Sequence, residues 1–372
     1  MNKLGFGFLR MPKKNPDDPS TIDYELTNDM VDEFIGRGGK YFDSAYTYLD
    51  GYSEIAFGKC VADRYPRDAY IITTKLPGWL CKSYDDCKVY FDKQIERCHV
   101  DYFDNYFIHW LNKANYDIAE ATDQFRFLRE VKAAGKAKQI GFSYHDNAEL
   151  LDEILTKHPE VDLVQLQINY LDWETVSIDA KGCYEVCVKH NKPVIVMEPI
   201  KGGTLATLPP EAEALLREVH PDETNASWAL RFVQSLDQVE ILLSGMNSVE
   251  QIIENIECLD DKPAMPEEEV ALLMKAADII NSNTAIPCTG CRYCIEDPCP
   301  MGIVIPDYFA LYNEHKRYPD DDWKLKPVYN SLKAKHGIPA DCIGCKKCEG
   351  SCPQKIKITD FLPKIADEFK DF

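Results

Sequence analysis

Eight short apolar runs, each followed by a stretch with helical spacing, constrain the fold of the first 255 or so residues more than any other feature. The runs are Gly5–Leu9, Lys40–Phe42, Tyr70–Thr74, Tyr106–Ile108, Gln139–Phe142, Leu163–Gln167, Val194–Met197 and Ile241–Leu243. Most carry apolar, often β-branched side chains at consecutive positions, as parallel strands buried on both faces do. Between them, Met30, Val31, Phe34 and Ile35 form a helical stripe that ends at Gly36, Gly38 and Gly39. Val249, Ile252, Ile253, Ile256 and Leu259 form another, with Ser248 and Gln251 reading as a capping box at its start. Eight such alternations match a (β/α)₈ TIM barrel, which needs about 250 residues. An open doubly wound sheet usually carries Gly-x-Gly-x-x-Gly after its first strand. Gly5-Phe6-Gly7-Phe8-Leu9-Arg10 lacks the third glycine, so a closed α/β barrel is expected.

After a charged, proline-bearing joint at Asp260–Pro266 and one helical stretch at Glu267–Ile280, the periodic pattern stops. The reading is therefore a barrel over residues 1–280 and a small, mostly helical and looped domain over 281–372. Fifteen cysteines divide the chain the same way. Cys60, Cys81, Cys87, Cys98, Cys183, Cys187 and Cys258 are scattered and read as small buried apolar residues. The other eight form two tight runs, and in a reducing compartment clustered cysteines more often bind metal than pair as disulfides. Cys342, Cys345, Cys348 and Cys352-Pro353 follow Cys-x-x-Cys-x-x-Cys-x-x-x-Cys-Pro. Cys288, Cys291, Cys294 and Cys299-Pro300 repeat it with one extra residue before the fourth cysteine. Three closely spaced thiolates can wrap one iron–sulfur cube, and small residues such as Gly344 let backbone N–H groups approach its sulfides. Structural zinc also uses Cys-x-x-Cys, but rarely three cysteines at that gap followed by Cys-Pro. Both runs resemble those of two-cluster bacterial ferredoxins. The resemblance implies two 4Fe–4S clusters with crossed ligation: Cys288, Cys291, Cys294 and Cys352 on one, Cys342, Cys345, Cys348 and Cys299 on the other.

Catalytic groups of TIM barrels sit at the C-terminal ends of the strands. There the chain places Asp43 and Tyr48 after the second run, Lys75 after the third and His109 after the fourth. Singly, each has an ordinary structural reading: a turn cap, a rim-packing ring, a solvated strand end, a satisfied interior histidine. Together, in this order, they resemble the aldo-keto reductase family, with the likeness running from about Leu4 to Asn255 through Gly141-Phe142-Ser143, Gln165, Pro199 and Glu254-Asn255. The resemblance implies a catalytic tetrad of Asp43, Tyr48, Lys75 and His109. A carbonyl that gains electrons builds negative charge on oxygen and needs a proton donor. Free tyrosine, with a pKa near 10, is a poor acid at neutral pH. A lysine ammonium beside it favours the phenolate, and an aspartate keeps the lysine charged. Trp79, Trp110 and Trp173 follow strand ends and are candidates to wall an apolar pocket.

The family resemblance also implies a nicotinamide nucleotide, with Gly7, Ser143, Gln165, Gln251, Glu254 and Asn255 as its candidate contacts. Here the sequence departs from the family. Met197 stands where an aromatic residue commonly stacks on the nicotinamide, Tyr144 replaces an asparagine, and Ser244–Gln251 contains no lysine or arginine for a 2′-phosphate. NADPH without a cationic partner binds weakly, so NADH or no nicotinamide remains open, and no flavin motif is visible. A net charge of −20 argues against nucleic acid and anionic membranes as partners. No apolar run reaches the roughly 18 residues a membrane span needs, and Met1–Gly7 has no signal-peptide core. A cytoplasmic oxidoreductase is expected. It would reduce a carbonyl or related small molecule with electrons relayed through the clusters from a ferredoxin- or flavodoxin-like donor. The alternatives are an NAD(P)H-dependent reductase with structural or regulatory clusters, and a non-catalytic electron-transfer module.

Overall fold

The computed structural model describes residues 3–175, 178–259, 263–296, 299–317 and 322–372. Eight parallel strands close into a barrel in chain order: β1 Leu4–Gly7, β2 Tyr41–Asp43, β3 Ile71–Leu76, β4 Phe103–Leu111, β5 Ala137–Tyr144, β6 Leu163–Gln167, β7 Val194–Met197 and β8 Val239–Ser244. Each overlaps one of the eight expected runs, and β6 and β7 agree to the residue. β4 and β5 run longer at both ends, because flanking polar residues are held by neighbouring strands that sequence periodicity does not register. Asp104, for instance, is buried in β4 and accepts from the backbone N–H of Ile72.

The barrel interior explains part of the sequence. Tyr41, Phe107, Leu163, Ile195, Ile241 and Leu243 pack there from β2, β4, β6, β7 and β8. Large side chains fill the bore only if some positions carry none. A Cβ on Gly5 would lie 2.6 Å from Leu243 Cδ2, and one on Gly141 would lie 2.3 Å from the Leu163 carbonyl oxygen. Nearer the strand ends the filling turns polar. The Tyr41 hydroxyl meets Thr73 Oγ1 at 2.5 Å, and Asn105 Nδ2 donates to both, at 3.1 and 3.0 Å.

By packing, the chain forms two compact units, 1–200 with 223–270, and 201–222 with 271–372. The loop that leaves β7 therefore belongs with the C-terminal unit. That unit has its own core, with Ile303, Ile305, Tyr308, Phe309, Ile365 and Phe369 fully buried. The helix expected at Glu267–Ile280 extends to Asn283. The expected joint at Asp260–Pro266 begins outside the described residues, as does the extra position of the first cysteine run at 297–298. Among the described residues no helix is long and apolar enough to cross a membrane.

Replacing Gly141 by alanine should lower barrel stability by about 1–3 kcal/mol, because its Cβ meets backbone that cannot move aside. Chemical denaturation followed by tryptophan fluorescence checks this; a loss below about 0.5 kcal/mol would mean the bore is looser than described.

Candidate active site and iron–sulfur region

Asp43 is the last residue of β2, Lys75 lies one residue from the end of β3, and His109 lies near the end of β4, so all three side chains reach one rim. The register between β4 and β5 shifts between Ile108 and Leu111. Such a bulge re-aims side chains, and here it turns His109 and Trp110, the latter at φ 60°. Tyr48 opens a short turn that continues through Leu49 and Asp50, both left-handed at φ 52° and 54°, to Gly51 at φ 90°. Two non-glycine residues in that region cost roughly 1–2 kcal/mol each, a strain retained directly after the candidate acid.

These residues converge. Lys75 Nζ donates to both Asp43 carboxylate oxygens at 2.7 Å and to the Ser44 carbonyl at 2.8 Å, and lies 3.4 Å from the Tyr48 hydroxyl. Lys75 is fully buried, and Asp43, Tyr48 and His109 are buried beside it. Burial pushes the Lys75 ammonium below its ordinary value, while Asp43 pushes it back up. Burial likewise raises the Asp43 carboxyl against the pull of Lys75. Two contacts at 2.7 Å and a carbonyl satisfy the ammonium's donors, so the pair is held as ions. Burial drives His109 well below its ordinary value, and the nearby charges of Lys75 and His145 add to it. His109 is therefore neutral at pH 7. Its ring packs edge-on against Tyr48 at 5.5 Å and against Trp79 at 5.2 Å, and Trp79 meets Trp110 at 5.4 Å. Trp173 does not join this wall; it packs on Tyr184 and Phe232 instead.

The expected nucleotide contacts divide into two groups. Ser143 and Gln165 are register partners across β5 and β6. Ser143 Oγ accepts the Trp110 N–H at 2.7 Å, while Gln165 Oε1 is buried without a hydrogen-bond partner. An unpaired buried acceptor suits an incoming amide N–H, so this end fits a carboxamide. At the other end the side chains are already engaged. Gln251 Oε1 accepts from Asn247 N, Glu254 accepts from Thr224 Oγ1, and Asn255 Nδ2 donates to Ser244 Oγ. The expected capping box is thus shifted: Ser248 Oγ accepts from Gln251 N, but the glutamine reaches back to Asn247 rather than Ser248. Gly7 pairs with Asp43 in the sheet, and a Cβ there would find only ordinary contact with Ser244 O. Sequence reasoning missed Arg10. Its side-chain carbons lie 3.1–3.4 Å from where a Cβ on Gly245 would sit, so this loop has a cation from another strand end that no local motif announces.

In the C-terminal unit both cysteine runs make the same turn, with Gly290 and Arg292 at φ 65° and 67° and Gly344 and Lys346 at φ 68° and 61°. Cys288, Cys291 and Cys294 line one cavity together with Cys352 from the other run. Gly290 N points at Cys288 Sγ from 3.5 Å. Cys348 has Cys299 and Cys342 as electrostatic neighbours. Among the described residues no three such side chains converge as they would on a single ion. A four-thiol wall around a cavity fits an iron–sulfur cube, whose bulk holds its ligands apart. All seven scattered cysteines are buried, and Cys81 and Cys87 touch at 3.8 Å between sulfurs, a contact their spacing does not suggest.

The aldo/keto reductase family model matches residues 3–278. The chain belongs to the aldo/keto reductase family. A 4Fe-4S dicluster domain model matches residues 287–357, so in this aldo/keto reductase an iron–sulfur domain follows the barrel in sequence. An aldo-keto reductase of Mycolicibacterium paratuberculosis is 24% identical over 239 residues, 63% of this chain and 77% of the relative. A glyoxal reductase of Bacillus subtilis is 28% identical over 151 residues, covering 34% of this chain and 52% of the relative. The holo form of an aldo-keto reductase from Bacillus halodurans superposes with a TM-score of 0.59 at 22% identity, covering 74% of this chain and 91% of that one. An aldo-keto reductase from Klebsiella pneumoniae, solved with NADPH, gives 0.58 at 17% identity, covering 73% and 90%. At these identities the structures establish the shared barrel fold.

The depressed His109 imposes a pH signature. Above the ordinary value of about 6.5 the histidine is neutral in both folded and unfolded chains. Below it only the unfolded chain takes up the proton, so stability falls with pH by up to ~1.4 kcal/mol per unit. Between pH 7.5 and 5.5 the wild-type barrel should lose more stability than His109→Asn, by about 1 kcal/mol. Equal losses in the two proteins would show that His109 is not held neutral by burial.

Proposed function

We propose that this aldo/keto reductase reduces a carbonyl, or a related unsaturated small molecule, at the barrel rim with electrons drawn through two 4Fe–4S clusters in residues 281–372. One observation carries the catalytic half: the buried Lys75 ammonium stands between the Asp43 carboxylate and the Tyr48 hydroxyl, at 2.7 and 3.4 Å. Reduction of C=O to CH–OH adds two electrons and two protons. Tyr48 supplies the proton to oxygen, the proton added at carbon comes from solvent, and the phenolate that Tyr48 leaves faces the Lys75 charge. Asp43 keeps that charge in place. Neutral His109 hydrogen-bonds the substrate oxygen and sets its direction, and Trp79 and Trp110 offer an apolar wall to an organic substrate.

Cys288, Cys291, Cys294 and Cys352 would hold one cluster, and Cys299, Cys342, Cys345 and Cys348 the other. When bound, each such centre passes electrons singly, so the pair together matches a two-electron reduction. The donor on this reading is a ferredoxin- or flavodoxin-like protein. A second reading has its own support. The unpaired Gln165 Oε1 suits a nicotinamide carboxamide, and with Arg10 near Gly245 the site would take NAD(P)H as hydride donor while the clusters play a structural or regulatory part.

With any confirmed carbonyl substrate, Tyr48→Phe and Lys75→Met should each lower kcat by about 100-fold or more while the visible iron–sulfur absorbance is unchanged. Full turnover in either variant would remove the proposed acid. The electron source is decided anaerobically. Bleaching of that absorbance by a reduced ferredoxin, but not by NADH or NADPH, supports the first reading; turnover with NADH or NADPH that survives Cys345→Ser with Cys348→Ser supports the second.

Crossed ligation makes its own prediction. Cys294→Ser and Cys352→Ser should each remove about half of the bound iron, and the double variant no more than either alone. Additive losses in the double variant would assign the two cysteines to different clusters.

A further inference from the structure

We propose that the exposed face of the second cysteine run is a docking surface for a small acidic one-electron carrier protein. This rests on the reading above that electrons enter as single units from such a donor. The chain as a whole carries a net charge of −20. Between Cys342 and Ile358 the sign reverses: Lys346, Lys347, Lys355 and Lys357 stand against Glu349 alone. All four lysines are exposed. Glu349 spends its carboxylate on the start of the last helix, accepting from Thr359 N at 2.8 Å and Thr359 Oγ1 at 2.5 Å. It is close enough to feel both Lys346 and Lys357, which brings those two cations to one place. Among the described residues, neither they nor Lys347 makes an ion pair.

The first run provides the contrast. Arg292 occupies the position equivalent to Lys346, and Asp307 neutralises it at 3.1 Å. Lys346 and Lys355 also hold left-handed backbone positions, at φ 61° and 53°, where glycine or asparagine would cost less. Cys345 is exposed, alone among the cysteines in the described residues, and Ile343 beside it is 64% exposed. A protruding apolar side chain and a solvent-reachable cysteine, on a segment that carries exposed lysines, offer an apolar contact within a cationic surface. Such a surface steers an oppositely charged partner to one spot and speeds encounter. Each productive encounter oxidises the carrier by one electron and reduces the centre held by the second run by one, with no bond made or broken.

The test uses the full-length protein with its clusters assembled. It follows loss of visible absorbance after mixing with a pre-reduced acidic ferredoxin, or with the reduced methyl viologen radical cation. In the wild type the ferredoxin rate should fall steeply with added salt. Lys346→Glu with Lys347→Glu and Lys357→Glu should lower that rate at least tenfold at low salt, while the viologen rate does not fall. A charge-reversed protein reduced as fast as wild type by ferredoxin would overturn the docking surface and leave the one-electron reading standing. A wild type reduced by viologen but by no acidic carrier would overturn both. If the triple variant assembles less iron, the wild-type salt dependence decides alone: a flat profile overturns the proposal.

Discussion

A single buried cation organises the rim of the barrel at the C-terminal ends of β2 and β3. Lys75 has no exposed surface, so its charge must be met inside the protein. Asp43, the Ser44 carbonyl and the Tyr48 hydroxyl meet it, and they come from the end of β2 and the turn that follows. An unpaired charge there would cost about 3–5 kcal/mol. The same contacts that satisfy Lys75 therefore hold Tyr48 in position, against the left-handed strain at Leu49 and Asp50. On the proposed reading, folding and chemistry share one interaction.

Behind that pair lies a second buried polar network that fixes the backbone of Lys75. Gln94, on the helix Tyr84–Cys98, donates to the Lys75 carbonyl at 3.0 Å and to the Glu54 carboxylate at 2.6 Å. Glu54 also takes a hydrogen bond from Thr74 at 2.7 Å and an ion pair from Arg97. Tyr106 OH donates to Gln94 Oε1 at 2.8 Å, so β3 and β4 are braced through one amide. Burial raises the Glu54 carboxyl, and these donors oppose it. A fully partnered network of this kind limits motion where the ammonium must stay aligned.

The C-terminal unit is built on a different economy. Two cysteine runs make the same local turn but meet different surroundings. The first is drawn into a cavity lined by Ile305, Phe309 and Ile358, whereas Cys345 and Ile343 of the second stand in solvent among lysines. Similar motifs thus acquire unlike electrostatic settings, and setting is what tunes such centres. On the proposed reading, two centres held by these runs would differ in exposure and in local charge.

What the sequence determined by itself was everything written as a spacing or a period. Consecutive apolar runs announced eight strands, because a parallel strand buried on both faces has few alternatives. That Asp43, Tyr48, Lys75 and His109 gather at one rim was legible because strand ends in a closed barrel face the same way, and the cysteine runs stood out by their spacing alone. Contacts between residues far apart in the chain were decided only by the tertiary structure. The bulge that turns His109, the Gln94 brace, the diversion of Trp173 away from the rim and the approach of Arg10 to Gly245 have no local signature. The loop 201–222 that packs with the C-terminal unit, and the ion pair that silences Arg292 but not Lys346, are of the same kind. The physical reason is common to all of them: burial and pairing depend on which surfaces close over a side chain, and that is settled when the strands have come together.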